Sequence, residues 1–382
     1  MYLPRVIVTY SNGNLLKAID AIDGIGGIVE TVNTIGLIGV PAQVFNLKDA
    51  VTKGYTELDE PAMYRQVKEF YDEVAGDQEL WLMGTAETMS MSGALDYQDE
   101  EGAKKLIRVS NGKVRLLGVC RVPDAGYDAG NAYFDADLEG AILKANTFCQ
   151  AQLDALVPLR VLIEGRVVNE DSLDRFEPKT ASVGFAGVVV GGSANDGSAS
   201  VGTALGRAVK YAAQIKIGKV ANGPLSISTI YIGTKLLKDV NYLDVLHGSG
   251  VISFMNHPSK AGFYFGIDRM ASTDDYRLLA FGRVVDKAAI IAAATYVEEL
   301  EGEAEVDDNG NISELELKHL EGQLAQQVKA NMANQISGIS IYIDPAQDII
   351  ETGKLMIKVR VRPMGYKSFI TVDLGLTAAV AA

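Results

Sequence analysis

The sequence predicts an α/β chain in two domains, with detached β segments at both ends, and three observations carry this. Through the first two thirds, short apolar runs alternate with helical patterns, the succession that lays down a parallel sheet. The last third changes to two long helical patterns followed by three alternating β runs. At each end a β-prone segment is set off from the rest by turn residues.

In order, "RVIVTY" (5–10) alternates and is β-rich until "SNGN" breaks it. "GLIGVPAQVFNLKDAV" is an apolar, glycine-punctuated run. In "DEPAMYRQVKEFYDEVAG", Pro61 suits a first helical turn and Met63, Val67, Phe70 and Val74 recur on one face, giving an amphipathic helix stopped by Gly76. "ELWLMG" reads as a buried strand. "LIRVSNGKVRLLGVCRV" (106–122) holds two β-prone runs about Asn111-Gly112, a hairpin signal. A helix over 138–156, the strand "LRVLIEG", the strand "FAGVVV" and the helix "VGTALGRAVKYAAQI" follow. The last third holds helices in "RLLAFGRVVDKAAIIAAATYVEELEGE" and "ELELKHLEGQLAQQVKANMANQ", with "EAEVDDNGNIS" as the turn region. The strands "SGISIYID", "KLMIKVRVRP" and "KSFITVDLGL" close it. In the last of these, Ile370, Val372, Leu374 and Leu376 share one face and Thr371 and Asp373 the other.

At 382 residues, 48% apolar and 22% charged, the chain has material for two or three globular domains. A net charge of −14 repels a polyphosphate backbone and no basic run offsets it, so no nucleic-acid partner is expected. No stretch approaches the roughly 18 uncharged apolar residues of a membrane span, so no membrane insertion is expected. The opening "MYLPRVIVTYSNGN" lacks the basic-then-apolar layout of a secretory signal, so synthesis in the cytoplasm is expected. Cys120 and Cys149 are too few for a disulfide framework and read as small buried hydrophobes.

The sharpest candidates for chemistry are two loops. In "GGSANDGSASVGTALGR" (191–207), Gly197 and Gly202 have the separation of a phosphate-cradling loop, but Thr203-Ala204 stands where Lys and Ser or Thr are needed. A plain strand-to-helix connection is expected, with a nucleotide- or ligand-binding enzyme built on this loop as the alternative. In "EVDDNGNISELE", Glu305, Asp307, Asn309, Asn311 and Glu316 occupy ligand positions of a calcium loop, with Gly310 at the turn and Ser313 between them. Glu305 replaces the usual first Asp, and Asp308-Asn309-Gly310 reads equally as a tight turn. His247, His257 and His319 have no partner at metal-ligand spacing, and no Gly-x-Ser-x-Gly elbow occurs. No catalytic residue or cofactor is expected, and no metal outside that loop.

A strand detached from its own sheet exposes unpaired N–H and C=O groups and pairs with another chain's edge. Repeated head to tail, such pairing gives an open helical array. Here the sequence resembles the contractile tail sheath proteins of myophages and related phage-tail-like injection systems. The resemblance runs nearly end to end, through "IGLIGVPAQVFNLKDAVTKGYTELDEPAMYRQVKEFYDEVAGDQELWLM", "ASVGTALGRAVKYAAQIKIGKVANGPLSI", "GFYFGIDRMASTDDYRLLAFGRVVDKAAIIA" and "NQISGISIYIDPAQDIIETGKLMIKVRVRPMGYKSFITVDLGL". The order of these segments carries it, since no single motif is diagnostic.

The resemblance implies a two-domain, tail-sheath-like α/β fold with N- and C-terminal β arms exchanged between subunits. It implies a non-enzymatic subunit, made in a bacterial host and assembled into a virion tail or injection particle. Such a subunit polymerises around a tail tube and contracts, without ATP, to drive the tube through a target envelope. The implied partners are further copies of the chain, the tube protein, and baseplate and tail terminator proteins. Carried onto this chain, the arms are 1–15 and 367–382, the body 16–255 and the C-terminal domain 256–366. The exchanged residues are Arg5, Val6, Ile7 and Val8, with Phe369, Ile370, Thr371, Val372, Asp373 and Leu374 at the other end. The receiving sheet is expected to include Ile339, Ile341, Ile343, Met356, Lys358 and Arg360, and the tube to meet Lys318 and Lys329.

Overall fold

Strands buried on both faces build the centre of the molecule, in a computed structural model that describes residues 24–307 and 309–373. The first domain runs β1 (Gly26–Thr31), β2 (Ala42–Val44), α1 (Leu47–Thr52), α2 (Pro61–Val74), β3 (Leu80–Thr85), α3 (Met91–Ala94), α4 (Ala103–Val109), β4 (Leu116–Val119), α5 (Leu138–Asp154), β5 (Arg160–Glu164), β6 (Ala186–Val190) and α6 (Val201–Lys210). It closes with β7 (Tyr231–Ile232), β8 (Lys235–Leu236), α7 (Leu243–Gly248), β9 (Val251–Met255) and β10 (Tyr264–Phe265). The remainder is α8 (Leu279–Tyr296), α9 (Glu314–Asn331), β11 (Ile336–Ile343), α10 (Ile349–Thr352) and β12 (Ile357–Pro363).

Eight strands form one sheet in the order β10-β9-β6-β5-β4-β1-β3-β2. All neighbours from β9 to β3 are parallel, and the short β10 and β2 close the edges antiparallel. Every residue of β1, β3, β4, β5 and β6 is buried, which is why they read as unbroken apolar runs rather than alternating ones. The sequence reading passed over β1 because Gly26-Gly27 opens it. Both glycines are packing sites: a Cβ on Gly26 would lie 3.2 Å from Leu205 of α6, and one on Gly27 would lie 3.1 Å from Leu106 of α4, on the opposite face. The sheet is thus covered on both sides, and its strand order reverses between β1 and β4.

Two local readings change. The hairpin expected over 106–122 does not form: Ala103, Leu106 and Ile107 are buried together on α4, and only the second run becomes a strand, β4. Asn111 and Gly112 do adopt left-handed backbone (φ 52 and 65), but to end a helix, with the Gly112 N–H donating to the Ile107 carbonyl. Likewise α2 ends on Ala75 in left-handed conformation (φ 60), one residue before Gly76.

The C-terminal domain has its own small cores. Val284, Ala288 and Ile291 of α8 meet Leu324 and Val328 of α9, with Met332 after it, under the inner face of the β11–β12 sheet. Ile312, Leu317, Leu320 and Ile343 form a second cluster. Ser313 caps α9 by accepting from the Glu316 N–H.

One buried ion pair ties this domain to the large sheet. Arg160, at the start of β5, donates from Nε and Nη2 to the two carboxylate oxygens of Asp286 on α8, at 2.7 and 2.6 Å. Its Nη1 donates to the Gly184 carbonyl at 2.9 Å. Gly282 makes the approach possible, because a Cβ there would sit 2.7 Å from Arg160 Nε. Removing one member strands the other in a dry site, so Asp286→Ala should cost about 3–5 kcal/mol in a urea melt. The double variant Arg160→Met/Asp286→Leu should recover most of that loss.

Candidate functional site

The glycine-rich loop turns the chain and packs two helices. Gly202 and Gly206 lie one helical turn apart on α6, against α2, where a Cβ would fall 2.0 Å from the Gln66 carbonyl oxygen and 2.7 Å from that of Phe70. The donors that a phosphate would use are already taken by the chain's own groups. Ala199 N–H donates to Glu164 Oε1 (3.0 Å), Gly202 N–H to Gln66 Oε1 (2.7 Å) and Ser198 N–H to Asp196 Oδ1 (2.9 Å). Thr203 and Ser193 hydroxyls donate to Glu69. Sequence reasoning missed these carboxylates, which come together only in the fold.

This region adjoins the reversal of strand order, where open α/β sheets ordinarily bind ligands. Here Glu164 accepts from the Arg121 N–H at 3.0 Å, and Arg166 donates to the Arg121 carbonyl at 2.7 Å. Burial, reinforced by the nearby Glu164 charge, pushes Glu30 at the end of β1 up to about 8. The crevice is filled, and the ligand-binding alternative finds no support in it.

The other candidate is the small sheet of the C-terminal domain. β11 and β12 pair antiparallel from Ile343↔Ile357 to Ile336↔Pro363, with one irregularity near Gly338. Alternation turns Ile339, Ile341, Val359 and Val361 toward the helices. Lys358, Arg360 and Tyr342 face outward. Of the expected receiving residues, Ile339, Ile341 and Ile343 lie on β11 and Lys358 and Arg360 on β12. Met356 precedes β12, its N–H donating to Gln347 Oε1 at 2.7 Å. The sheet has two strands only, so each keeps one long edge unpaired among the described residues. A lone two-stranded sheet is marginally stable, and open edges invite another strand.

The chain then leaves this domain through a fixed point. The Tyr366 hydroxyl donates to the Gln214 carbonyl at 2.6 Å, and its ring lies 5.7 Å from Phe281. Lys216 sits 5.3 Å over the same ring while bridging to Asp268 at 3.1 Å. After Tyr366 everything described is exposed and unpaired: Phe369 is 82% exposed, Ile370 77% and Val372 67%. The strand expected at 368–376 therefore does not form within the subunit over 368–373. Leu374 lies outside the described residues, as do Arg5, Val6, Ile7 and Val8.

The calcium-like loop is organised as a turn. Asp307 accepts from the N–H groups of Asn309 (2.8 Å) and Asn311 (3.0 Å), and these bonds hold its carboxyl below the usual range. Val306 and Ile312 bridge across it, the Glu305 carbonyl accepts from the Ser313 N–H, and Glu316 lies in the first turn of α9. No group of three His, Cys, Asp or Glu residues placed to hold a metal occurs among the described residues. Lys318 and Lys329 are exposed on α9, and Lys318 pairs with Glu321 at 2.7 Å. Cys120 and Cys149 are free and buried, and burial raises both thiols.

The whole-chain fold, a doubly wound body followed by a helical domain with a two-stranded sheet, is shared with solved contractile sheath structures. The chain is similar to the contracted helical sheath of the anti-feeding prophage (TM-score 0.62, 14% identity, 98% of this chain and 99% of that one). It is also similar to the contracted sheath complex of the extracellular contractile injection system PVC (0.59, 13%, 99% and 98%) and to a chain of the anti-feeding prophage baseplate (0.60, 13%, 98% and 100%). The chain belongs to the DUF2586 family, whose N-terminal domain matches residues 3–269 and whose C-terminal domain matches 275–381. No curated protein matches it in sequence.

Two measurements check the body's interior. Gly202→Val should destabilise the protein by at least about 2 kcal/mol in a denaturant melt, because the added carbons meet backbone that cannot yield. Glu30 has a folded value above its ordinary 4.5, so the stability it permits is complete below pH 4.5 and is lost as pH rises to about 8. Glu30→Gln should flatten that decline and leave the protein more stable than wild type at pH 8.

Proposed function

We propose that this chain is a structural subunit of a contractile sheath. It polymerises helically around a tail tube and contracts to drive the tube through a target envelope. The observation that carries the reading is a whole-chain fold likeness to sheath subunits combined with an unfinished C-terminal sheet and an exposed apolar tail. In this role residues 5–10 and 368–376 add as strands to the β11–β12 sheet of neighbouring copies. The body and the C-terminal domain move as units while the arms keep the lattice connected.

The partners in this reading are other copies of the chain, a tube protein, and baseplate and terminator proteins, in a particle assembled within a bacterial host. The likeness to sheath and baseplate chains supports self-association and a baseplate partner. No helix among the described residues is long and apolar enough to cross a membrane. Contraction needs no nucleotide: each added main-chain hydrogen bond contributes only about 1 kcal/mol net, but strand ladders sum over a lattice.

Chains lacking the residues before Ser11, or those after Tyr366, should remain folded by circular dichroism and sediment as monomers, while the full chain forms hollow tubes by electron microscopy. If both truncated chains still build tubes of normal length, strand exchange is not what holds the assembly together.

A further inference from the structure

The outward face of β12 carries Lys358, Arg360 and Arg362 at every second position, all exposed, in a chain whose net charge is −14. None of the three forms an ion pair among the described residues: Arg360 donates to the Val359 carbonyl, and Lys358 lies 5.8 Å over the Tyr342 ring. The alternate residues of β12, Val359 and Val361, are held against the helices, so this cationic ladder cannot turn inward. Its rungs are spaced about 6.7 Å apart, two strand residues. Outside any described helix, between α8 and α9, Glu301, Glu303 and Glu305 also recur at every second position and are exposed. They too lack an ion pair among the described residues, and this run adjoins the helix-side cluster, with Ala304 packed against it.

We propose that the Lys358–Arg360–Arg362 face of one subunit docks on the Glu301–Glu303–Glu305 run of a second copy. The two runs oppose in sign, three cations against three carboxylates, each at alternate positions of the sequence. When each copy offers its basic face to one neighbour and its acidic run to another, the contact is heterologous and propagates from copy to copy. The proposal rests on the sheath reading, since it assumes that the chain polymerises. It assigns the outward sheet face to neighbouring subunits, in addition to the sheet's open edges.

The test is charge reversal in the full-length chain, read by pelleting and electron microscopy. Lys358→Glu/Arg360→Glu/Arg362→Glu and, separately, Glu301→Lys/Glu303→Lys/Glu305→Lys should each lower the pelleted fraction by roughly tenfold at low salt, the sum of three exposed pairs. All six positions are exposed, so both proteins should melt as wild type does. Mixed in equal amounts, the two reversed proteins should co-assemble, because each then meets its opposite. Undiminished pelleting of the acidic-run variant, or failure of the mixture to recover, overturns the proposal and leaves the basic face to a different protein such as the tube. A wild-type chain that never assembles would instead remove the sheath reading itself.

Discussion

The bidentate Arg160–Asp286 pair is the constraint on which the rest of the arrangement depends. It joins the first residue of a central strand to the middle of α8, and so fixes the helical domain to the sheet with two charge-assisted bonds in a dry site. Such a pair adds little net stability over an apolar contact, but it has a strong geometric preference. Gly282 and the Gly184 carbonyl complete the socket, and a slipped register of α8 would leave a guanidinium buried without partners. From α8 outward, the position of the β11–β12 sheet follows by packing.

The body shows how a ligand-binding topology can be filled. Its strand order reverses where a crevice for a dinucleotide ordinarily opens, and its glycine-rich loop precedes a helix in the expected place. Yet Glu164, Gln66 and Asp196 satisfy the loop's N–H groups, and the glycines at 202 and 206 serve the α2–α6 contact. The same residue type that lets a backbone approach a phosphate lets it approach another helix.

The C-terminal domain is complementary in character. Its small cores depend on a sheet with two unpaired edges, a charged outer face and an apolar tail that departs from an anchored Tyr366. The root of the tail is thus tied to the subunit, while residues 367–373 are exposed.

Much of this was legible from residue order. The amphipathic α2, the buried strands β3, β5 and β6, the long α8 and α9, and the alternation in β11 and β12 follow from period and burial. So did the detached character of 368–373, where alternation and breakers stand far from any partner. The first strand, β1, was hidden by its glycines, and Asn111-Gly112 ended a helix because the apolar residues before it fit a helical face against the sheet. Local pattern therefore determined most of the helices and strands, and the absence of a strand partner for 368–373 within the described residues. What only the tertiary structure decided is which charges meet: Arg160 with Asp286, Glu164 with the glycine loop, and no ion-pair partner among the described residues for Lys358, Arg360 and Arg362. Those outcomes depend on distances between residues far apart in the chain, and a spacing rule along the sequence carries no information about them.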